Sequence, residues 1–318
     1  MKAFVTGGAG FVGSTLADRL LAGGHQVTAY DNFSSGQRGF VAHNLVHPAY
    51  RLIEGDLLDE RRLADVVPGH DVVFHLAANA DVRHGLEHPR RDLEQNTIAT
   101  YNVLESMRLG SVRRIVFSSS GSIYGEPDVF PTPENCPFPV QTSLYGASKL
   151  AGEGLVSAYC TGYGFSGWVF RFVSILGERY THGHVFDFVR QLRADPAKLR
   201  ILGDGKQRKS YLYVQDCVEA MMLALEKRPH GYNVLNLGTD EYVSVDESVS
   251  LITRVMGVKP QLSYTGGARG WVGDSPFIFL DCAKIRALGW MPRLRIAGAI
   301  ERTTKYLLDN PSLLDRRS

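Results

Sequence analysis

Tyr145 and Lys149 stand four positions apart in the stretch YGASK, and side chains at this spacing are neighbours on one face of a helix. A phenol has a pKa of about 10 and is a poor base at neutral pH. An adjacent ammonium and a cationic cofactor ring would each lower that pKa by about 1–3 units. The pair therefore predicts a general base, Tyr145, that Lys149 keeps ionised. By spacing alone an ordinary surface pair is the better interpretation, so the rest of the chain must decide.

Composition narrows the classes of protein to which the chain can belong. Its 318 residues are 44% hydrophobic with a formal charge of +2 and no run of Lys or Arg, which is typical of a globular protein and does not indicate a nucleic-acid partner. The four cysteines lack a CxxC pair and neighbouring histidines, so we expect reduced thiols and no metal site. The first apolar run breaks at Gly7 and no apolar stretch is long enough to span a bilayer. We therefore expect a cytoplasmic protein without a membrane partner.

A glycine-rich turn near the start of the chain indicates a dinucleotide site. A predicted strand, Lys2–Thr6, leads into three glycines at the spacing GxxGxxG, namely Gly7, Gly10 and Gly13. A helix predicted over Ser14–Ala22 follows, and the glycines let backbone N–H groups approach a diphosphate at the positive end of that helix. The commonest fingerprint is GxGxxG, and a glycine-rich connection in an ordinary sheet protein is the alternative.

The next strand, predicted over Gln26–Tyr30, leads to Asp31. A carboxylate at this point accepts hydrogen bonds from both hydroxyls of an adenosine ribose and repels a 2′-phosphate. Asn32 and Phe33 follow, rather than an Arg that would accommodate such a phosphate. The sequence therefore predicts NAD as the cofactor in preference to NADP.

Strands and helices continue to alternate up to about residue 173. The predicted strands are Arg51–Glu54, Asp71–Leu76, Arg114–Phe117 and Gly167–Phe172, and the predicted helices are Asp59–Val67, Asp92–Arg108 and Ser143–Tyr159. This alternation predicts an α/β fold with a doubly wound parallel sheet of the Rossmann type. Ligands of such sheets bind beyond the carboxyl ends of the strands. Polar or small residues fall at those ends: Asp31, Asp56, Ala77, Ser118, Ser119, Ser120 and Ser174.

After Gly177 the pattern becomes less regular. Ser244 and Glu247 match a capping box that opens a helix to about Met256. We expect an NAD-binding domain made of residues 1–173 and 210–238, so that part of the later chain returns to the main sheet. A smaller α/β substrate domain would comprise residues 174–209 and 239–318.

Motifs along almost the whole chain resemble those of the extended short-chain dehydrogenase/reductases, and in particular the NAD-dependent nucleotide-sugar epimerase/dehydratase family. They are TGGAGFVG at 6–13, DN at 31–32, GDL at 55–57, HLAA at 75–78, Asn96, SSS at 118–120, YG at 124–125, YGASK at 145–149 and LGW at 288–290. Within this family the chain is most similar to the UDP-glucose 4-epimerases.

The resemblance assigns roles to the residues at matching positions. It implies that NAD is bound by Gly7, Gly10, Phe11, Val12, Gly13, Asp31, Asn32, Asp56, Leu57, Leu76, Ala77, Ala78, Asn96, Ser118, Ser119, Tyr145, Lys149 and Phe172. It implies that Tyr145, Lys149 and Ser120 are catalytic, with Ser120 holding the reacting sugar hydroxyl. It implies a nucleotide-diphosphate sugar contacted by Arg83, Ser120, Ser122, Tyr145, Ser174, Arg208, Lys209, Arg269 and Asp274.

The implied reaction is epimerisation at C4 of the sugar through a 4-keto intermediate, with UDP-glucose and UDP-galactose as the expected pair. Dehydratases of the family carry Asp-Glu where this chain has Gly121-Ser122. The acid that protonates a departing hydroxyl is then missing, which disfavours dehydration. Similar enzymes associate through two long helices, so the resemblance implies a homodimer.

Three positions leave the sugar and its diphosphate contacts open. Ser174 stands where UDP-glucose 4-epimerases commonly have Asn and glucuronate epimerases Thr, so a UDP-glucuronate 4-epimerase is an alternative. The family's diphosphate-binding Arg aligns with Lys209, beside Arg208, and a Lys lacks the bidentate fork of an Arg. Arg269 is a second candidate in a shifted register, and Arg83 is the first candidate to meet a carboxylate at C6.

Some of these residues also have purely structural interpretations. Asp56 is a candidate cap for the next helix, and His75 is better explained as a buried strand residue than as a catalyst. His182, His184 and Asp187 favour a polar pocket wall over a metal site, because a fourth ligand is missing. A non-catalytic NAD-binding module is the alternative to an enzyme, although such modules usually lose Tyr or Lys of the pair that this chain keeps.

Overall fold

The computed structural model describes residues 1–79, 85, 87–137, 140–228, 230–270 and 277–315. Its strands are β1 (Lys2–Thr6), β2 (Gln26–Asp31), β3 (Tyr50–Glu54), β4 (Val72–His75), β5 (Arg114–Ser120), β6 (Ser166–Phe172), β7 (Ser174–Leu176), β8 (Lys198–Ile201), β9 (Arg208–Lys209), β10 (Tyr211–Tyr213), β11 (Tyr232–Leu237), β12 (Val243–Ser244), β13 (Gln261–Tyr264) and β14 (Phe277–Ile278). Its α-helices are α1 (Phe11–Ala22), α2 (Arg38–Val41), α3 (Glu60–Val66), α4 (Pro89–Asp92), α5 (Ala99–Leu109), α6 (Leu144–Tyr163), α7 (His184–Ala194), α8 (Val214–Lys227), α9 (Val245–Met256), α10 (Ala283–Arg286) and α11 (Ile296–Asp309). A π-helix, Leu93–Ile98, joins α4 to α5, and single 3-10 turns occupy Ala42–Asn44, Gly121–Tyr124 and Pro311–Leu313.

Seven strands form one parallel sheet in the order β3-β2-β1-β4-β5-β6-β11. The chain crosses from one side of β1 to the other between β3 and β4, which is the connection of a doubly wound sheet. The strands are nearly continuous apolar runs because both faces are covered, and every residue of β4 is buried. The predicted fold class is therefore confirmed. β11 returns the later chain to this sheet, as expected.

Helices cover the two faces of the sheet, and successive strand residues alternate between them. On one face Val5 and Phe74 share a core cluster with α1 and α8 residues such as Leu16 and Met221. On the other face Phe4 and Val73 join a cluster with residues of α3, α5 and α6. This two-sided burial holds the carboxyl ends of the strands in one line, where the loops between strand and helix can build a site.

The prediction of one continuous helix over Asp92–Arg108 is wrong, because α4 ends at Asp92 and a π-helix precedes α5. A π-helix bonds each N–H one residue further back than an α-helix does, so that its turn is wider. Asp92, Asn96 and Thr100, spaced by four, are all buried, whereas Leu93 and Ile98 are exposed. Hydrophobic periodicity missed this segment because its buried side is polar.

The strand predicted to end at Phe117 continues to Ser120. Ser118, Ser119 and Ser120 pair with Phe170, Arg171 and Phe172 of β6. Sheet hydrogen bonds therefore fix the backbone of all three serines.

A third core cluster lies beside the sheet and joins α7, α9 and α11 through Val189, Ile252 and Ile300. The predicted capping box is confirmed at the start of α9, where Ser244 Oγ accepts from Glu247 N–H at 3.1 Å. Glu247 Oε2 in turn accepts from Ser244 N–H at 2.7 Å.

Candidate active site

A cleft of about 1120 Å³ opens along the carboxyl edge of the sheet. Its wall begins at the ends of β1, β2, β4, β5 and β6 and continues onto α7, β8 and β9. Sites for a single small ligand usually measure about 300–1,000 Å³, so this cleft has room for a dinucleotide and a second ligand. With the exception of Asn96, every predicted cofactor-binding residue lines it.

The glycine-rich turn forms a cradle that side chains would fill. Gly7 has a φ of +67°, and a Cβ on it would lie 2.8 Å from the backbone nitrogen of Ala77. A Cβ on Gly13 would lie 2.0 Å from the carbonyl oxygen of Gly7. α1 starts after Gly10 without a side-chain cap and has no acidic residue in its first turn. Its N-terminal N–H groups are thus available to an anion, as the predicted pyrophosphate site requires.

Asp31 lies at the end of β2 with its carboxylate held by backbone donors. Oδ2 accepts from Ala9 N–H at 2.9 Å and Oδ1 from Phe33 N–H at 2.8 Å. Burial raises the pKa of Asp31, while these two hydrogen bonds lower it. The carboxylate is oriented towards the cleft wall and keeps lone pairs for a ribose, so the residues present fit NAD.

Asp56 does not cap the next helix, because Asp59 does. Asp59 Oδ1 accepts from Arg62 N–H at 3.0 Å in the first turn of α3. Asp56 instead accepts from Asn32 Nδ2 at 3.0 Å and from Leu58 N–H at 2.9 Å, while lining the cleft. The structural alternative for Asp56 is wrong, and its place beside Asn32 fits the predicted adenosine end.

Ser120 and Tyr145 meet in the cleft. α6 begins at Leu144 because Ser143 caps it, accepting from Gly146 N–H at 3.0 Å, so Tyr145 stands in the first turn. The Tyr145 hydroxyl is hydrogen-bonded to Ser120. Ser120 Oγ also accepts from Ser122 N–H at 3.1 Å, which fixes the hydroxyl at the end of β5. The structure thus brings together a phenol and a hydroxyl that can hold one reacting alcohol.

Lys149 lies one turn further along α6, with only 2% of its surface exposed. Its Nζ donates to the carbonyl oxygen of Ser118 at 2.8 Å and lies 5.1 Å from the centroid of the Phe117 ring. Burial lowers the pKa of Lys149 to about 7, although Asp92 and Glu153 oppose that effect. Burial thus makes the Lys149 ammonium lose its proton more readily than that of an exposed lysine.

The prediction that Lys149, together with a cationic cofactor ring, keeps Tyr145 ionised stays a prediction, because it depends on both charges. Burial raises the pKa of Tyr145 to about 12, the hydrogen bond from Ser120 lowers it, and Asp92 raises it. Desolvation of the phenolate is therefore the largest influence on this pKa. The phenol needs a further positive charge in the cleft before it can act as a base near neutrality.

Asn96 lies beneath the cleft wall rather than on it. Its Oδ1 accepts from Asn79 N–H at 2.8 Å, and its Nδ2 donates to Ser148 Oγ at 2.9 Å. Ser148 Oγ in turn donates to the carbonyl oxygen of Tyr145 at 2.8 Å. Asn79, which the sequence did not single out, lines the cleft instead. The contact of Asn96 with the cofactor stays a prediction; in this arrangement Asn96 supports the first turn of α6 from beneath the cleft wall.

The predicted diphosphate cations do not share one location. Lys209 lines the cleft, as do Ser122 and Ser174. Arg208 and Arg269 do not: Arg208 lies over the Phe277 ring at 4.0 Å, and Arg269 Nη1 pairs with Glu126 at 2.6 Å. Neighbouring residues of a strand point to opposite faces, so Arg208 and Lys209 cannot both face the cleft. Two further predictions, Arg83 and Asp274, lie outside the described residues.

The wall opposite the sheet comes largely from α7 and the strand after it. His182, His184 and Asp187 line the cleft, so the prediction of a polar pocket wall is confirmed. Burial lowers the pKa of His184 to about 3, and Lys209 lowers it further. His184 Nδ1 and Tyr211 Oη lie 2.5 Å apart and form a hydrogen bond. The tautomer of the neutral ring decides which of the two atoms donates.

Sequence reasoning missed several residues of this wall: Asn79, Tyr180, Arg190, Gln191, Arg200, Gln207 and Tyr211. A signal was available for some of them. His184, Asp187 and Gln191 repeat at helical spacing, so they form a polar stripe beside the apolar face of the helix.

His75 is a buried, hydrogen-bonded strand residue, as predicted. Its Nδ1 is 2.8 Å from Thr6 Oγ1, and its Nε2 is 2.9 Å from Thr100 Oγ1. Thr6 Oγ1 also accepts from Ala77 N–H at 3.2 Å, and Thr100 Oγ1 donates to the carbonyl oxygen of Asn96. These roles require a neutral ring with its proton on Nε2, and burial indeed lowers the pKa of His75 to about 3.

The described residues contain neither a membrane-spanning helix nor a cluster of metal ligands. None of the helices there combines the length and the hydropathy needed to cross a membrane. Across the same part of the chain, no three His, Cys, Asp or Glu side chains gather as metal ligands would.

Comparisons with known proteins agree with this geometry. A family model described as the NAD dependent epimerase/dehydratase family matches residues 3–238. UDP-glucose 4-epimerase of Mycolicibacterium smegmatis is 34% identical over 320 residues, covering 96% of this chain and 98% of its own.

Solved structures show the same relationship. A crystal structure of UDP-galactose 4-epimerase has a TM-score of 0.88 at 38% identity, covering 98% of this chain and 99% of its own. UDP-glucose 4-epimerase of Thermotoga maritima, solved with UDP-glucose, has a TM-score of 0.88 at 31% identity, covering 98% and 100%.

Proposed function

The chain belongs to the NAD dependent epimerase/dehydratase family, and from this premise we propose that it is an NAD-dependent nucleotide-sugar 4-epimerase that interconverts UDP-glucose and UDP-galactose. One observation carries the proposal: Ser120, Tyr145 and Lys149 line the same cleft as the glycine cradle. The similarity to a UDP-glucose 4-epimerase and to a structure solved with UDP-glucose supports the choice of substrate.

The cofactor end of the cleft is built from backbone and carboxylate groups. The N–H groups at the start of α1 would hold the pyrophosphate of NAD, and Asp31 would accept from the adenosine ribose hydroxyls. Lys149 would donate to the nicotinamide ribose. When bound, NAD supplies the acceptor and donor of hydride at C4, together with a positively charged ring near the site.

Tyr145 and Ser120 handle the proton. Ser120 holds the C4 hydroxyl against Tyr145, whose phenolate removes the hydroxyl proton and later returns it to the carbonyl oxygen. The pKa of Tyr145, raised by burial to about 12, must fall for this step. Lys149 and a cationic ring act in that direction, each by about 1–3 units. The chain thus provides a base whose ionisation depends on a filled site.

The substrate end of the cleft is lined by cations, among them Lys209, and by the small residue Ser122. Lys209 would bind the diphosphate, and the polar wall around His184 and Tyr211 supplies neutral hydrogen-bonding groups. Ser122 stands where a dehydratase needs a carboxylic acid, so the 4-keto sugar would not lose its neighbouring hydroxyl. We therefore expect the 4-keto sugar to be reduced again at C4.

A product assay tests this proposal. Purified protein with its bound NAD is incubated with UDP-galactose, and UDP-glucose is measured by chromatography, with and without EDTA. We expect conversion to an equilibrium mixture without added metal or net NADH.

A panel of UDP-glucuronate, UDP-N-acetylglucosamine and the dTDP, GDP and CDP sugars serves as the comparison. Faster conversion of UDP-glucuronate would replace the proposed substrate by the acidic one. Folded, NAD-bound protein that converts no member of the panel would favour the non-catalytic module.

A further inference from the structure

We propose that Asp92, at the end of α4, is a positioning residue of the active site that supplies the buried negative charge balancing the Lys149 ammonium and orients the turn bearing Tyr145. This inference rests on the proposed function, because it assigns a role in the same proton transfer. Asp92 does not line the cleft and was not a predicted site residue.

Asp92 is 1% exposed, and its carboxylate orients two amides. Oδ1 accepts from Asn79 Nδ2 at 2.8 Å and from Asn96 Nδ2 at 3.3 Å. An amide that donates through Nδ2 to a carboxylate has its carbonyl oxygen fixed on the other side. Asn96 Oδ1 is then the group that accepts from Asn79 N–H. Asp92 thereby locks the backbone that follows β4 on one side of the cleft.

The side-chain amide of Asn96 also connects Asp92 to the first turn of α6, which carries Tyr145. Asn96 Nδ2 donates to Ser148 Oγ, which donates to the carbonyl oxygen of Tyr145. Residues four apart lie on the same side of a helix, so Asp92 and Asn96 stay together on the buried side. The four residues thus connect a buried carboxylate to the backbone of the proposed base.

The charge of Asp92 matters because Lys149 is 2% exposed and cannot be solvated by water. Glu153, 3% exposed, is the other buried carboxylate near it, but Arg171 binds Glu153 with Nη2 to Oε2 at 2.7 Å. His75 faces the same region from β4 and is neutral, and Tyr145 faces it from α6. Asp92 is the charge that acts most strongly on Lys149, ahead of Glu153.

Removing the charge should shift the pH dependence of the reaction as well as its rate. Asp92 raises the pKa of Lys149 and also that of Tyr145. In Asp92→Asn both values fall, so both limbs of the pH–rate profile move to lower pH, by about one unit if the interaction is typical of nearby charges. The loss of activity is then larger at pH 9 than at pH 6.5. A purely structural role would instead lower the rate equally at every pH.

The experiment measures pH–rate profiles of the NAD-loaded enzyme for wild type and three variants, with NAD content determined for each. Asp92→Asn should show the shift. Ser148→Ala, which breaks the connection to Tyr145 but keeps the charge, should lower kcat about tenfold without a shift. Asp216→Asn is the matched control: Asp216 is 4% exposed and accepts from Arg293 and Leu294 N–H, away from the cleft. Its profile should stay in place.

Titration of Lys149 by NMR, in protein labelled at the lysine Cε, tests the charge effect without any turnover. Its resonance is identified by its loss in Lys149→Arg. A lower Lys149 pKa in Asp92→Asn supports the proposal even if no nucleotide-sugar is converted, which would count against the proposed function alone. An unchanged Lys149 pKa, or an unshifted profile, overturns it. If Asp92→Asn does not fold, an unaltered kcat in Ser148→Ala overturns the positioning role.

Discussion

The residues that line the cofactor half of the cleft could be identified from the sequence more completely than those that line the substrate half. In the first, the turn between β1 and α1 and the end of β2, every residue singled out from the sequence lines the cleft. In the second, around α7 and β9, Lys209 lines it, whereas Arg208 and Arg269 are occupied elsewhere. The difference shows that a site made by backbone geometry is encoded locally, and one made by side chains on loops is not.

Glycine spacing is informative because it reports where a Cβ cannot fit. Gly7 and Gly13 approach each other so closely that the position of the turn follows from the residue types. Cations carry no such constraint, because a Lys or Arg can reach a diphosphate from many backbone positions. The register of β9 alone decides that Lys209 rather than Arg208 faces the cleft.

The largest effect is expected from Gly13→Ala, which tests the cofactor half. The new Cβ would lie 2.0 Å from the Gly7 carbonyl oxygen, so the turn must open. We expect NAD affinity to fall more than about a hundredfold and the free energy of unfolding to decrease by about 1–3 kcal/mol, as for other overpacked sites. Calorimetric titration of stripped protein with NAD measures the first, and urea unfolding the second.

Gly162→Ala is the matched control, because Gly162 is also helical and a Cβ there meets nothing within 4 Å. Ala is favoured over Gly in a helix by about 1 kcal/mol, so this variant should be slightly more stable and bind NAD normally. Normal NAD binding by Gly13→Ala would contradict the cradle.

A smaller effect is expected from Lys209→Ala, which tests the substrate half. Losing a hydrogen bond to a charged group costs about 1.5–3 kcal/mol, so KM for the UDP-sugar should rise about tenfold to a hundredfold while NAD affinity stays constant. Lys209→Arg should retain tight binding. Steady-state kinetics with UDP-galactose measures both.

Arg208→Ala sharpens the comparison, because Arg208 is adjacent in sequence but stacked on Phe277 and Tyr242. Its KM should stay near that of wild type. An equal rise in KM for Lys209→Ala and Arg208→Ala would contradict the assignment of the diphosphate to Lys209 rather than Arg208.

A third effect concerns acid stability, to which each half contributes one neutral histidine. Burial lowers the pKa of both His75 and His184 to about 3, below the usual 6.5. The unfolded state therefore binds more protons between pH 6.5 and about 3, and stability is lost as pH falls through this window. Each histidine should contribute about 1.4 kcal/mol per pH unit there.

Urea unfolding at several values between pH 4 and 7 measures this slope. His75→Gln and His184→Gln should each make the free energy of unfolding less dependent on pH. A slope that is unchanged in His75→Gln would mean that its imidazole is already charged in the folded protein.

The fold and much of the site could be predicted from the sequence. Apolar strands alternating with helices indicated the parallel sheet, and Tyr145, Lys149 and Ser120 were found from their spacing and family motifs. The π-helix was missed because its buried side carries Asp92 and Asn96 rather than hydrophobic residues. The raised pKa of Tyr145 could not be read from the sequence, since the desolvation of a phenol depends on burial that only the folded chain reveals.

The role of the Tyr145 phenol is tested most directly by the turnover of Tyr145→Phe with UDP-galactose, measured together with its NAD content. Phe keeps the ring and removes only the hydroxyl that Ser120 contacts. We predict a fall in kcat of at least about a thousandfold with the NAD content unchanged, within the range expected for loss of a general base. Turnover within tenfold of wild type would show that another group moves the proton.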